Sequence, residues 1–99
     1  MLLIVGTIRL PASNMQQARA FMERVVDGSR AEHGCLEYVY AVDVFEPGLI
    51  HIKELWTDQE ALDRHASSDH IVQWRAAGPD LGVADRNLRL YEVVEPRKI

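Results

Sequence analysis

One cysteine, Cys35, stands in the 99 residues. An internal disulfide is therefore excluded, and so is any CxxC redox or zinc motif. A reducing, cytoplasmic location is the default expectation for such a chain. No apolar stretch approaches the roughly 20 residues that span a bilayer. The opening MLLIVGTIRL carries no basic region ahead of its apolar run and reads as a strand, not a signal peptide. Basic residues do not predominate: the formal charge is −4, which gives no reason to expect nucleic acid or an anionic membrane as partner. There is no HExxH, no phosphate-cradling glycine loop and no nucleophile triad. Repeats, linkers and low-complexity segments are absent too, so one domain over residues 1–99 is expected.

What the chain does contain is a regular alternation of apolar patterns. Residues 2–10 are aliphatic and end at Pro11, as a buried strand would. Met15, Ala18, Met22, Val25 and Val26 recur at helical steps, predicting a helix over 14–31 with Ser13 or Asn14 as its cap and Gly34 beyond its exit. Residues 36–45 have strand composition, with Leu36, Tyr38, Tyr40, Val42 and Val44 on one face. Glu46-Pro47-Gly48 is turn chemistry, and residues 49–56 return as the second strand of a hairpin. Thr57-Asp58-Gln59-Glu60 reads as a capping box with Thr57 as cap. A helix over 58–66 follows, then a break at Ser67-Ser68-Asp69 and a second piece over 69–77 that Gly78-Pro79 stops. A loop over 80–87 and a last strand over 88–94 complete the chain.

The order β-α-β-β-α-β is the split βαβ of the ferredoxin-like α+β class, an antiparallel sheet with its helices on one face. The opposite face is left uncovered, although strand residues such as Leu3 and Val5 place apolar side chains on it. That favours a homodimer packed sheet on sheet.

Candidate chemistry falls on the hairpin and the broken helix. His65 lies on the apolar stripe with Leu62 and Ala66, so it should point at the sheet, either as a satisfied buried histidine or as a pocket acid–base group. His70 sits in the first turn of a helix, where an imidazole can serve a cap. His65 and His70 stand about 140° apart on a continuous helix, and no carboxylate falls at a step that completes a site, so no metal is expected. Trp56, Trp74, Tyr38, Tyr40 and Phe21 either form plain core or line an apolar cavity suited to a flat aromatic ligand. Glu54, on the same strand face as Trp56, needs a partner, for which Arg9 or a second subunit is available. Asp43 is placed to order the hairpin turn, Cys35 reads as a small buried side chain, and His33 and His51 read as surface residues.

These residues together resemble the antibiotic biosynthesis monooxygenase family. The likeness rests on Gly34-Cys35-Leu36-Glu37-Tyr38, Asp43, Pro47, Glu54-Leu55-Trp56, Ala61-Leu62, His65 and Ser68-Asp69-His70, in order along the chain. It implies a dimeric α+β barrel. It also implies oxygenation of quinols or anthrone-type polyketides without metal or flavin, hence no cofactor and a small aromatic substrate. On that resemblance His65 is the candidate base, Trp56, Trp74 and Tyr38 are pocket walls, and Arg9 or His70 are polar contacts. Haem-degrading relatives use an asparagine, a tryptophan and a histidine where Thr7, His65 and Arg75 stand here, which argues against that activity. Other relatives are isomerases on small signalling sugars. A non-catalytic binding or stress-response module and an isomerase or lyase on a small oxygenated metabolite are the alternatives.

Overall fold

The computed structural model describes all 99 residues. Strand β1 (Leu2–Arg9) leads through a short 3-10 turn (Ala12–Asn14) into helix α1 (Met15–Arg30). The hairpin β2 (Cys35–Val42) and β3 (Leu49–Trp56) follows. Helices α2 (Gln59–Ala66) and α3 (Asp69–Leu81) and strand β4 (Ala84–Glu92) complete the fold. The sheet runs β2-β3-β1-β4 with every neighbouring pair antiparallel, which is the ferredoxin-like α+β arrangement expected from the order of elements.

Registry explains which side chains are inside. Leu2, Gly6 and Ile8 of β1 stand opposite Trp56, Ile52 and Ile50 of β3, and Tyr38 and Tyr40 of β2 stand opposite Glu54 and Ile52. Alternation places all of them on one face, under the helices. Ala18 and Val25 of α1, with Ile71, Trp74 and Leu81 of α3, close that layer. On the opposite face Leu3, Val5, Val39 and Leu55 are half-buried and Tyr91 is exposed, so one side of the sheet is uncovered in the single chain.

Several local readings of the sequence are corrected. Asp58, not Thr57, caps α2: its Oδ1 accepts from the Ala61 N–H at 2.9 Å, while Thr57, just past β3, donates its N–H to the Gly34 carbonyl. Helix α3 does not stop at Gly78-Pro79. It runs to Leu81 and ends on Gly82, whose left-handed backbone (φ 76°) lets Val83 donate back to the Gly78 carbonyl. Strand β4 begins at Ala84, so residues 84–87 are not loop; their polar side chains disguised a backbone that pairs with β1. In β2 a bulge between Cys35 and Glu37 turns Leu36 outward, and Val44 lies beyond the strand on the exposed hairpin tip.

Neither Ser13 nor Asn14 caps α1 by side chain. Asn14 instead donates from Nδ2 to the Leu81 carbonyl at 2.9 Å and ties the start of α1 to the end of α3. Asp43 does order the hairpin: its Oδ2 accepts from the N–H groups of Phe45 and Glu46, and its Oδ1 pairs with His51 at 2.7 Å. The His51 contact and the two backbone donors hold the Asp43 carboxyl below the usual range.

Gly6 shows how closely β1 and the edge strand β4 approach. A Cβ there would lie 1.9 Å from the Asn87 carbonyl oxygen. Replacing Gly6 with alanine should therefore part β1 from β4 and cost about 1–3 kcal/mol, read as a lower chemical-denaturation midpoint with faster amide exchange in β4. Unchanged stability would show that β4 is not held in this register.

Candidate functional site

Between the sheet and helices α2 and α3 lies a cleft of about 670 Å³ that opens to solvent. Its floor is Ile4, Ile52, Leu88 and Leu90, its inner wall Tyr38, Tyr40, Trp74 and His65, and its charged groups include Glu54, Arg75 and Arg86, with Asp63, Asp85 and Arg89 also on the lining. The apolar floor comes from strand alternation. The inner wall exists because Ser67 and Ser68 interrupt the helix, so α2 and α3 leave at different angles over the sheet.

His65 is 3% exposed. Its ring lies 4.7 Å from the Trp56 ring and 5.3 Å from that of Tyr38, centroid to centroid. Its Nδ1 meets the Glu32 carboxylate at 2.9 Å, and its Nε2 lies 3.5 Å from the Tyr38 hydroxyl. A carboxylate only accepts, so Glu32 places the imidazole proton on Nδ1 and leaves the Nε2 lone pair facing the Tyr38 hydroxyl at the cleft wall. Tyr38 continues the line to the Tyr40 hydroxyl at 3.4 Å. Burial, reinforced by Tyr40 and Glu54, pushes the Tyr38 hydroxyl above its ordinary range. Burial also pushes Tyr40 up to about 12. Both phenols therefore stay protonated and can donate hydrogen bonds.

Glu54 faces the same space. Its partner is not Arg9 but Trp56, whose indole N–H donates to Oε1 at 3.0 Å. Burial raises the Glu54 carboxyl above its usual range, against the lowering effect of that hydrogen bond and of His65, Arg86 and Arg75.

The remaining sequence candidates fall at different distances from the cleft. Trp74 lines it and stands edge-on to Tyr40 at 6.2 Å. Trp56 is fully buried behind His65, a support and not a lining surface. Phe21 is outside the cleft on α1, with the Arg24 guanidinium 4.7 Å from its ring centre. Arg9 is also outside it, at the far end of β1, half-exposed and paired with Glu46 at 2.9 Å. Cys35 is partly buried; burial, with Glu32 and Glu54 nearby, pushes its thiol up to about 11, so it carries no reactive thiolate at neutral pH.

His70 is behind the wall as well. Its Nε2 contacts Glu32 Oε1, the same oxygen that His65 uses, and lies 3.0 Å from Ser68 Oγ. Glu32 and Gly28 were not singled out in the sequence, and Ser68 entered only through the helix break and the family likeness. A Cβ at Gly28 would lie 2.5 Å from His70 Nδ1, so α1 carries glycine where the imidazole packs. A glycine inside an amphipathic helix costs about 1 kcal/mol, and that anomaly was the available signal. Glu32 had none: it lies outside every regular element, and only the fold brings it to α2 and α3.

A ferredoxin-like sheet with a part-apolar cleft under its helices, walled by a carboxylate-bound histidine, defines a small-ligand domain. The family model for antibiotic biosynthesis monooxygenase matches residues 1–77, and the chain belongs to that family. A candidate antibiotic biosynthesis monooxygenase from Deinococcus radiodurans is similar over 100% of this chain and 98% of its own, at 28% identity with a TM-score of 0.90. The structure of Rv0793 from Mycobacterium tuberculosis has a TM-score of 0.82 at 21% identity, over 98% of each chain, which speaks for the fold alone. An uncharacterized protein, sll1783, from Synechocystis sp. is 22% identical over 98 residues, 99% of this chain and 67% of that protein. No helix is long and apolar enough to cross a membrane.

Glu54 makes the stability of the site dependent on pH. Its folded carboxyl is raised, so the stability it contributes is full below the ordinary glutamate range and is lost as pH rises through the folded value. Glu54→Gln, which keeps an acceptor for Trp56, should raise the melting temperature at neutral pH, and that advantage should vanish in acid. An equal effect at both pH values would mean that Glu54 is solvated as in the unfolded chain.

Proposed function

We propose that the protein is a cofactor-independent monooxygenase that oxidises a quinol or an anthrone-like polycyclic phenol with dioxygen. The observation that carries this reading is buried His65 in the wall of a part-apolar cleft, its Nδ1 fixed by Glu32 and its Nε2 beside the Tyr38 hydroxyl that also lines the cleft. Aromatic walls at Tyr38, Tyr40 and Trp74 suit a flat substrate. In this reading His65 takes a proton from the acidic C–H or O–H of the substrate. The resulting anion is spread over the ring system, and its oxygen accepts hydrogen bonds from the protonated phenols of Tyr40 and Tyr38.

Such an anion gives one electron to dioxygen, and the substrate radical and superoxide combine through a new C–O bond as a peroxide anion. His65 returns its proton to the distal oxygen. Loss of the remaining C–H proton then breaks the O–O bond and releases water, leaving a carbonyl. One oxygen atom enters the product and the other leaves as water, so the substrate itself supplies the electrons. Burial of the reacting groups limits side reactions with solvent.

The charged groups Glu54, Arg75 and Arg86 around the cleft favour a second reading, an isomerase or lyase on a small oxygenated metabolite. There His65 moves a proton between two carbons and dioxygen takes no part.

We also propose a homodimer in the cytoplasm, joined through the uncovered sheet faces, with Leu3, Val5, Val39 and Leu55 at the contact. Val5→Asp should yield a monomer by light scattering, and an equally stable dimer from that variant would remove this face from the interface.

Oxygen uptake by purified protein offered quinols and anthrones, against a heat-denatured control, tests the reaction. Uptake above the control should fall at least about 100-fold in His65→Ala. Undiminished turnover in that variant would dismiss His65 as base. Absence of uptake across the panel, with solvent deuterium entering a hydroxy-ketone substrate, would establish the isomerase reading instead.

A further inference from the structure

Glu32, His65 and His70 come from three separate segments, the exit of α1, helix α2 and helix α3, yet their ligand atoms lie within 4.8 Å of one another. Both imidazoles approach one carboxylate oxygen, Glu32 Oε1, through His65 Nδ1 and His70 Nε2. We infer that these three side chains form a binding site for one divalent transition-metal ion, of the zinc or iron(II) type.

The donor set selects the ion. Two imidazole nitrogens and a carboxylate oxygen suit zinc, iron, cobalt or nickel, whereas calcium and magnesium prefer oxygen ligands. Three protein ligands also leave coordination positions free for water or a ligand, the pattern of open sites. Such an ion requires about 2.0–2.2 Å to each donor, so its binding would draw the three side chains around it.

The surroundings are built for fixed imidazoles. Side-chain exposure is 4% for His65, 20% for His70 and 16% for Glu32, so the donors are held away from bulk water. Gly28 opens the space that the His70 ring fills. Ser68 Oγ donates to the His65 carbonyl at 2.7 Å and lies beside His70 Nε2, joining the ends of α2 and α3 at the cluster. The far nitrogen of His65 meets the Tyr38 hydroxyl, the kind of outer contact that orients metal-bound imidazoles.

The site stands on geometry and does not depend on the proposed oxygenation, but the two share an imidazole. A metal on Nδ1 requires the neutral ring to carry its proton on Nε2. His65 then donates toward the Tyr38 hydroxyl where, metal-free, it accepts. Occupancy would therefore silence His65 as a base.

Cobalt(II) is the probe, titrated into chelator-treated wild-type protein without substrate. One equivalent per chain should produce visible d–d bands of low-symmetry cobalt and raise the melting temperature. Zinc should displace the colour. His70→Ala and the shape-conserving Glu32→Gln should each weaken binding at least about tenfold, while His51→Ala, which removes the exposed hairpin histidine, should leave it intact. Absence of both bands and melting shift in the wild type would overturn the site. Binding that persists in Glu32→Gln or disappears in His51→Ala would overturn it as well. Because no substrate is present, failure here leaves the oxygen-uptake result untouched, and the reverse.

Discussion

Trp56 is fully buried, and its indole N–H cannot remain without an acceptor at that depth. The acceptor is Glu54, two residues back on the same face of β3. That single requirement draws a carboxyl group into the floor of the cleft, where burial raises its proton affinity. The same indole supports the ring of His65 and stands edge-on to Tyr38 at 6.3 Å. Removing Trp56 would therefore undo the floor, the wall and the orientation of the candidate base together. The core and the site are one structure here, with β3 supplying both.

The second organising contact is Glu32. It links the exit of α1 to α2 and α3 through two imidazoles, while Gly34, two residues on, packs against Thr57 and Ala61 at the start of α2. The turn between α1 and β2 is thereby pinned on both sides. A hydrogen bond between a carboxylate and an imidazole sets tautomer as well as position, so the fold determines which nitrogen of His65 faces the ligand space. Charge placed outside regular structure thus governs chemistry on a helix.

The architecture was legible because periodicity carries it. Met15, Ala18, Met22, Val25 and Val26 mark one helical face, and all of them pack against the core. The strands of the hairpin show themselves by composition, as does the burial of His65 by its place on the stripe with Leu62. Legibility failed where backbone pairing, not side-chain burial, makes the element. Residues 84–87 are polar and exposed, and they form strand only because β1 offers an unpaired edge. The end of α3 was misplaced because Gly78-Pro79 reads as a stop in isolation, whereas buried Leu81 and the left-handed Gly82 continue the helix to a better cap. The partnership of Glu32, His65 and His70 was invisible for a geometric reason. On one continuous helix the two histidines diverge, and only the Ser67-Ser68 break reorients them. Arg9 is ruled out by alternation itself, which sets it with Leu3 and Val5 away from the face of Glu54, at the end of β1 where Glu46 pairs with it.

Gly28 has a practical consequence for anyone who would stabilise this protein. Exchanging helix glycines for alanine is a standard route to higher melting temperature, since it lowers the entropy of the unfolded chain and improves helix propensity. By those criteria Gly28, in the body of α1, is an obvious choice. Yet a methyl group there would collide with the His70 ring and displace it from Glu32. A screen that scored heat resistance alone could accept such a change, and a hardened scaffold would emerge with its histidine pair uncoupled. The weak point in α1 is where helix stability has been traded for room.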